Sequence, residues 1–212
     1  MNTTWHPEIL PPEQAALLTP LAELPAGFIL YGGTALALRL GHRTSVDFDF
    51  FSASPFVPEQ LQSNLPVSGK TIQKEENTLS LLTSTGVKIS LFGGLKLARV
   101  GNPDEFRGIR VASIDDLFAT KLNTIYQRAE PKDYLDIAAI IDAGLSLERG
   151  LGAAIAVFGN DFNYLLPLKA LTWFGEPSLD ALPDKTKENL STAVANFTKP
   201  ETLSPIASSL SE

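Results

Sequence analysis

Short alternating runs of polar and apolar residues dominate the first half of the chain, a pattern typical of strands with one buried face. Residues 67–92 hold three such runs in a row, separated by turn signals at Asn77 and Gly86, which predicts a β meander. The predicted strands are "GFILY" (27–31), "SVDFDFF" (45–51), "VSGKTIQKE" (67–75), "TLSLLTS" (78–84), "VKISLF" (87–92) and an edge strand, "GIRVA" (108–112). They indicate a mixed sheet of about five strands, to which the run at 108–112 would add an edge strand.

Apolar residues recur at helical spacing around and after these strands. Residues 13–24 predict a helix that Pro20 kinks or breaks. "TALALRLG" (34–41) predicts a short helix with Thr34 as its N-cap and Gly41 as its C-cap. Further helices are predicted at "VPEQLQSNL" (57–65), "SIDDLFATKLNTIYQR" (113–128), "PKDYLDIAAIIDAG" (131–144), "SLERGLGAAIAVFG" (146–159) and "NYLLPLKALTWF" (163–174).

The order of these elements predicts an α+β fold, with a mixed β-sheet flanked by helices and followed by a C-terminal helical bundle. We place the α/β core at residues 1–112 and the helical subdomain at residues 113–197. Residues 198–212, in which Ser and Pro are frequent, are predicted to form a flexible tail.

Composition narrows the range of functions. The 212 residues are 44% hydrophobic, which supports a substantial core, and their formal net charge is −7. This charge argues against a broad surface that coats DNA or RNA, which would be basic. The chain has no cysteine, which excludes disulfides and thiolate chemistry, and its two histidines lie too far apart to favour a zinc site. Without a recognisable signal peptide or membrane span, we expect a soluble cytoplasmic protein.

Asp47 and Asp49 are the most informative pair of residues. In a strand they share one face, while Val46, Phe48 and Phe50 face the core. Aspartate is uncommon in strands, and two like charges on one face repel each other unless a divalent cation lies between them. The pair therefore predicts a metal site. The alternatives are an exposed strand that carries two aspartates without a chemical role, and a calcium-binding loop.

Gly32 and Gly33 lie between the first strand and the short helix that follows it. A glycine turn at the start of a helix lets backbone N–H groups approach a phosphate, and the helix N-terminus adds positive potential. Thr34 would add a hydroxyl donor. A Gly-Gly turn between a strand and a helix can also be needed for steric reasons alone. Together with Asp47 and Asp49, however, it predicts a single binding site for a triphosphate and its metal ions.

The stretch "GGTALALRLGHRTSVDFDFF" (32–51) closely resembles the signature of the nucleotidyltransferase fold, the DNA polymerase β-like superfamily. That signature combines a glycine pair, a spacer, and two aspartates set among apolar residues. With Arg43 and Ser45 ahead of the aspartates, the stretch looks most like the AbiEii/AbiGii toxin family. Members of this family are the nucleotidyltransferase-like toxins of bacterial toxin–antitoxin and abortive-infection systems.

A second block, "DLFATKLNTIYQRAEPKDYLDI" (116–137), resembles a later motif of the same family. The matching residues are Lys121, Arg128, Lys132, Asp133 and Asp136. Without the resemblance, Lys121 is either a surface lysine at the border of an apolar stripe or a phosphate contact. Asp133 and Asp136 lie in the first turn of a helix, where acidic residues are favourable for electrostatic reasons alone.

The resemblance implies transfer of a nucleoside monophosphate from an NTP to a hydroxyl acceptor, with Mg²⁺ or Mn²⁺ as cofactor. It also implies a tRNA end or another RNA as acceptor, and an antitoxin protein as partner. The implied metal ligands are Asp47 and Asp49. The implied catalytic residues are Asp47, Asp49, Lys121 and Asp133, and the implied nucleotide-binding residues are Gly32, Gly33, Thr34, Arg43 and Ser45.

The chain departs from the superfamily pattern at one position. Superfamily enzymes carry a third carboxylate on a later strand, and the matching strand (87–92) has Ser90 there. A serine hydroxyl is no general base near neutral pH. The candidate substitutes are Glu75, Glu76 and Asp133, of which we prefer Asp133. If none substitutes, the chain is a catalytically impaired module that binds a nucleotide or a partner. A transferase that acts on a small molecule is a weaker alternative.

Overall fold

The structure is a computed structural model that describes residues 4–210, and these residues form seven strands and nine α-helices. In chain order the strands are β1 Ile29–Tyr31, β2 Phe48–Phe51, β3 Lys70–Glu75, β4 Thr78–Leu82, β5 Lys88–Phe92, β6 Asp104–Phe106 and β7 Ile109–Val111. The α-helices are α1 Pro12–Ala15, α2 Leu18–Leu21, α3 Gly32–Leu40, α4 Pro58–Ser63, α5 Ile114–Thr124, α6 Pro131–Asp142, α7 Leu147–Phe158, α8 Leu165–Ala170 and α9 Asp184–Asn196. Single turns of 3₁₀ helix lie at Pro7–Ile9, Gly159–Asp161 and Pro177–Leu179.

The chain divides into two compact units. The first spans Met1–Leu97, Asn102–Ser113 and Ala207–Glu212 and contains the sheet. The second spans Ala98–Gly101 and Ile114–Ile206 and contains the helices α5 to α9. No helix within residues 4–210 combines the length and the apolar character that a membrane span requires.

The sheet of the first unit is mixed, with strand order β3-β4-β5-β2-β1-β7-β6. The central strand β2 pairs antiparallel with β1 and parallel with β5. Phe48 and Phe50 of β2, together with Ile89 and Leu91 of β5, are at most 1% exposed and form the centre of the core. This mixed sheet with helices, followed by a helical unit, confirms the predicted α+β fold class.

The edge of the sheet differs from the prediction. The run at 108–112 was expected to be an edge strand, but β7 lies between β1 and β6, so that β6 is the edge. Arg107 and Gly108 connect β6 to β7, both with positive φ, as a tight two-residue hairpin turn requires. The short, acidic β6 shows no alternation that could have identified it from sequence.

Strand β2 is shorter than the predicted strand at 45–51. Its partner β1 contributes only three residues, and the pairing ends at Tyr31 and Asp49 because the chain turns at Gly32. As a result Val46 precedes the strand and is 53% exposed, so the expectation that it faces the core was wrong.

Helix boundaries in the first unit also differ. The helix predicted at 13–24 is two single-turn helices, and the interruption lies before Pro20, which occupies the first turn of α2. Helix α3 begins at Gly32, so that its N-cap is Tyr31, without a side-chain capping bond, and not Thr34. Its C-cap is Gly41 in the left-handed conformation, as predicted.

The second unit is built around α5, which packs extensively against α7 and also contacts α6. Phe118 and Leu122 of α5 and Leu151 of α7 have no exposed surface, because the apolar face of each helix is turned towards the others. After α9 the described chain has no long helix or strand. Even so, Glu201 donates its backbone N–H to the Glu148 carbonyl at 2.9 Å, and Leu210, which belongs to the first unit, is fully buried.

Candidate functional site

The turn between β1 and α3 brings Gly32 against Asp49. Gly32 has a φ of +72°, and a Cβ added there would lie 2.5 Å from Oδ2 of Asp49. Any other residue would therefore face both left-handed backbone strain and a collision with the carboxylate. The carboxylate of Asp49 consequently lies directly on the backbone of the glycine turn.

Gly33 has a comparable role for Arg43 and Ser45. A Cβ at Gly33 would lie 2.6 Å from Nη2 of Arg43 and 2.9 Å from Oγ of Ser45. The guanidinium is also oriented by Nη1, which donates to the Thr44 carbonyl at 2.9 Å. A positive charge and a hydroxyl thus lie beside the start of α3. The structure brings Gly32, Gly33, Arg43 and Ser45 together in one small region, next to Asp49.

Thr34 is fully buried, and its hydroxyl makes hydrogen bonds inside the protein. It donates to the backbone carbonyl of Asp47, and it lies 3.1 Å from Oγ of Ser45. It accepts a hydrogen bond from Nε2 of Gln14 at 3.1 Å. The geometry makes Thr34 a positioning residue for Asp47, so in this arrangement it does not offer a free donor to a ligand.

Gln14 is the residue of this region that sequence analysis missed. It belongs to α1 and has no exposed surface, although glutamine is usually a surface residue. The sequence signal was only a polar residue within a helical segment, and Gln14 and Thr34 are separated by 20 positions. Only the fold brings them together.

Asp47 and Asp49 are both half-buried and lie at the end of the sheet from which the glycine turn leaves. Within residues 4–210 there is no group of three or more His, Cys, Asp or Glu side chains that could hold a metal ion. Mg²⁺ in phosphate sites commonly uses only one or two protein carboxylates, and substrate phosphates and water complete its shell. Two aspartates beside a turn that can receive phosphates fit such an ion.

Ser90 stands where the third carboxylate was expected. It is the direct register partner of Asp49 on the parallel strand β5. Its side chain is fully buried, and its Oγ accepts a hydrogen bond from Oγ of Ser80 at 3.2 Å. The position next to Asp49 is therefore part of a buried pair of hydroxyls that spans two strands.

Two of the three candidate substitutes for that carboxylate are remote from it. Glu75 ends β3, and Glu76 lies in the turn that follows. Two strands, β4 and β5, separate β3 from β2. At about 4.8 Å per strand spacing this places Glu75 about 14 Å from β2, too far to share a metal ion with Asp49.

The second unit holds the remaining predicted residues in a buried ion cluster. Nζ of Lys121 lies 2.7 Å from Oδ1 of Asp133 and 2.6 Å from Oδ2 of Asp136. Arg128 approaches Asp133 from the surface, with its Nε 3.0 Å from Oδ2. Both aspartates are fully buried, and Lys121 is 7% exposed. The cluster is balanced in charge, with two cations and two anions.

The cluster uses two of the three N–H donors of Lys121 and occupies both oxygens of Asp133. Its elements are α5, α6 and the loop between them, so the cluster fixes how these two helices meet. Lys132 is the residue of the family's later motif that lies outside this cluster. Its side chain is exposed, and its Nζ lies 2.9 Å from Oε2 of Glu130.

Comparison with known proteins identifies a family. A family model described as "Nucleotidyl transferase AbiEii toxin, Type IV TA system" matches residues 15–102 and 96–204. An uncharacterized protein of Aquifex aeolicus (strain VF5) is 34% identical over 119 residues, which are 52% of this chain and 55% of that protein. The match thus spans about half the length of this relative.

A solved structure supports the fold. The crystal structure of an inferred nucleotidyltransferase from H. pylori superposes with a TM-score of 0.53 over 85% of this chain and 89% of that chain. The two sequences are 16% identical, so this likeness concerns the fold alone.

Proposed function

The chain belongs to the AbiEii nucleotidyltransferase toxin family, and from this premise we propose that it transfers a nucleoside monophosphate from an NTP to a hydroxyl acceptor. The reaction would take place where Gly32 and Gly33 meet Asp49 and Arg43. The observation that supports the proposal is the close packing of Gly32 against Asp49 and of Gly33 against Arg43, since a carboxylate and a guanidinium beside one glycine turn suit a metal ion and a phosphate.

The triphosphate would lie at the start of α3. This helix has no side-chain capping bond at its N-terminus, so its first backbone N–H groups suit an anion. The guanidinium of Arg43 beside Gly33 adds positive charge there. Asp47 and Asp49 would hold Mg²⁺ or Mn²⁺, which when bound neutralises phosphate charge and activates the attacking hydroxyl.

In the proposed reaction an acceptor hydroxyl oxygen attacks the α-phosphorus of the NTP. A new P–O bond forms, the bond between the α-phosphorus and the bridging oxygen breaks, pyrophosphate leaves with that oxygen, and the hydroxyl proton passes to water. The protein contributes mainly by positioning and fixed charge, as in other phosphoryl transfers. Thr34 contributes indirectly, because its hydroxyl holds the backbone of Asp47.

In the second unit, the proposed catalytic residues are Lys121 and Asp133. Two facts support a role beyond stability. The pair matches the family's later motif, and burying ion pairs gives little net stability compared with apolar side chains of similar size. The third N–H donor of Lys121 is the group that would serve a phosphate.

The acceptor in the proposal is an RNA hydroxyl, with a tRNA end first among the candidates, and the partner is an antitoxin protein. The description of the family as a toxin of a type IV toxin–antitoxin system supports the antitoxin partner, and the RNA acceptor is part of our proposal. The relevant test offers purified protein each of the four NTPs, labelled in the α-phosphate, with Mg²⁺ and total tRNA. We expect label in the RNA with at least one NTP, and none when EDTA replaces Mg²⁺.

Variants make this test specific. Asp47→Asn and Asp49→Asn should each reduce incorporation by about 100-fold or more, because each removes a carboxylate that would hold the metal ion. Glu75→Gln is the matched control, since it removes an acidic charge about 14 Å away on the same sheet. Incorporation that survives both aspartate variants at the wild-type rate would overturn the proposed site.

A second candidate function is a nucleotide-binding module without catalysis. The observation that favours it is the buried Ser90–Ser80 pair next to Asp49, where a third acid was expected. Isothermal titration calorimetry separates the two functions. A module would bind NTP and Mg²⁺ tightly and yield no labelled product over long incubation, and its binding would still be lost in Asp47→Asn.

A further inference from the structure

The second unit contains a cavity of 590 Å³ at the end of α5, the start of α6 and the turn after α8. This volume is in the usual range for small-molecule sites. The principal side chains that line it are Tyr126, Arg128, Tyr134, Leu166, Lys169 and Trp173. None of the roles discussed above uses this cavity, apart from the contact of Arg128 with the ion cluster.

Trp173 presents a large aromatic surface to the cavity. Its side chain is 54% exposed, and Leu166, which also lines the cavity, is 43% exposed. The indole lies over Gly175, where a Cβ would be 3.1 Å from the ring, and the backbone N–H of Trp173 donates to the Ala170 carbonyl at 3.2 Å. An exposed aromatic ring is a surface on which a flat ligand can stack.

Tyr134 provides a second aromatic wall, and this wall is uncharged. The residue is 2% exposed, and its hydroxyl donates to the Ala170 carbonyl at 3.3 Å. Burial raises the pKa of the phenol, and the negative charges of Asp133 and Glu176 raise it further, so it stays neutral near physiological pH.

The charged groups at the cavity are two cations and one anion, Arg128, Lys169 and Glu176, in a protein whose net charge is −7. Lys169 is exposed and has no ion-pair partner in the described part of the chain. Arg128 is held by Asp133 through Nε and lies 3.4 Å from Glu130 through Nη1, and its side chain is still 47% exposed. Among the described residues, Lys169 is therefore the cation of the cavity that no ion pair neutralises, while Arg128 shares its charge with Asp133 and Glu130.

We propose that this cavity binds a nucleotide, with the base stacked on Trp173 and the phosphate next to Lys169 and the exposed edge of Arg128. A free nucleotide and the terminal nucleotide of a single-stranded RNA present the same chemistry, a flat ring joined to an anion. If an RNA end is the ligand, the cavity is a binding site for the RNA acceptor named under the proposed function. Only this last assignment rests on the proposed function.

Fluorescence of Trp173 tests the binding directly. The chain has two tryptophans, so Trp5→Phe makes Trp173 the sole tryptophan reporter. This protein is titrated in EDTA with the four nucleoside monophosphates and, separately, with a single-stranded RNA trinucleotide. EDTA removes binding that needs a metal at Asp47 and Asp49, so the result does not depend on whether the transfer reaction exists. We expect saturable quenching of the Trp173 fluorescence. If a nucleoside monophosphate quenches at a lower concentration than the trinucleotide, the ligand is a free nucleotide. The reverse order identifies an RNA end.

Single variants that retain Trp5 are then compared by isothermal titration calorimetry. Trp173→Ala should weaken binding by about tenfold or more, and Trp173→Phe should restore part of it, because base stacking on one ring accounts for such a factor. Lys169→Ala should weaken binding and reduce its dependence on salt. Leu165→Ala, 57% exposed on the same helix but outside the cavity lining, is the matched control and should leave the affinity unchanged.

Two results would overturn the proposal. One is the absence of quenching by every nucleotide and by the RNA at millimolar concentration. The other is binding that Trp173→Ala leaves intact in a correctly folded variant. If Trp173→Ala abolishes capture of a purified protein partner while nucleotides do not quench, the cavity is a protein-docking surface and the nucleotide proposal is wrong.

Discussion

Two aspartate pairs in the described part of the chain differ in their surroundings. Asp49 lies in β2 and Asp47 directly before it; both are half-buried, and Asp49 packs against the glycine turn. Asp133 and Asp136 lie one helical turn apart, fully buried.

The protein itself supplies the counterion of the second pair. Lys121 contacts both of its carboxylates within 2.7 Å, and Arg128 covers it from outside. The first pair is half-buried, and the backbone of the glycine turn lies against Asp49. The comparison teaches that a pair of aspartates does not by itself predict a metal site, because the fold can place a lysine between them instead.

The largest predicted effect concerns the buried pair. Lys121→Met leaves two carboxylates buried without their shared cation, and we expect the free energy of unfolding to fall by about 3–5 kcal/mol. Urea denaturation monitored by circular dichroism measures this loss. The triple variant Lys121→Met, Asp133→Asn, Asp136→Asn should regain much of the stability, because it also removes the uncompensated charges. A single variant as stable as wild type would show that the cluster is not closed in solution.

The next effect concerns the turn beside the half-buried pair. Gly32→Ala should destabilise the protein by about 1–2 kcal/mol from left-handed strain alone, and by more because its Cβ would meet Asp49. It should also weaken NTP binding. Gly86→Ala is the matched control, since Gly86 has a φ of +84° and open space around it. Calorimetric NTP titrations and thermal melts of both variants isolate the contact with Asp49. Equal losses of stability and of NTP affinity in the two variants would contradict a specific effect of the contact between Gly32 and Asp49.

The smallest effect concerns the buried hydroxyl behind Asp47. Thr34→Val removes the hydrogen bonds to the Asp47 carbonyl and to Gln14, and should cost about 1–2 kcal/mol of stability together with a fall in transfer rate. Thr83→Val also deletes a buried hydroxyl, one that accepts from the Val87 N–H at 3.0 Å, and should lower stability without changing the rate per folded molecule. Rates and melting temperatures measured side by side check this; a rate fall in both variants would remove the special role of Thr34.

Much of the candidate site around Asp49 was predictable, because its residues lie close together in the sequence. The glycine turn, α3 and the aspartate strand lie within residues 32–51, and the meander fixed which strand would carry Ser90. The register of Ser90 opposite Asp49 confirms that part. These features depend on backbone periodicity and turn chemistry, which a single sequence displays.

The remaining features depend on contacts between distant segments. Gln14 reaches Thr34 only in the folded protein, and the burial that makes Thr34 a positioning residue follows from packing. The neutralisation of Asp133 by Lys121 likewise requires α5 and α6 to meet. The sequence showed the residue types of this cluster, but not that they would satisfy one another.

The most direct measurement for the central claim compares two labels of the same NTP. Wild-type protein with Mg²⁺ and RNA acceptor is incubated with NTP labelled either in the α-phosphate or in the γ-phosphate, in parallel with Asp47→Asn. Nucleotidyl transfer at Asp47 and Asp49 predicts that the α-label alone enters the RNA, and that the variant transfers neither. Label that enters from the γ-phosphate, or α-label that the variant still transfers at the wild-type rate, would contradict the account.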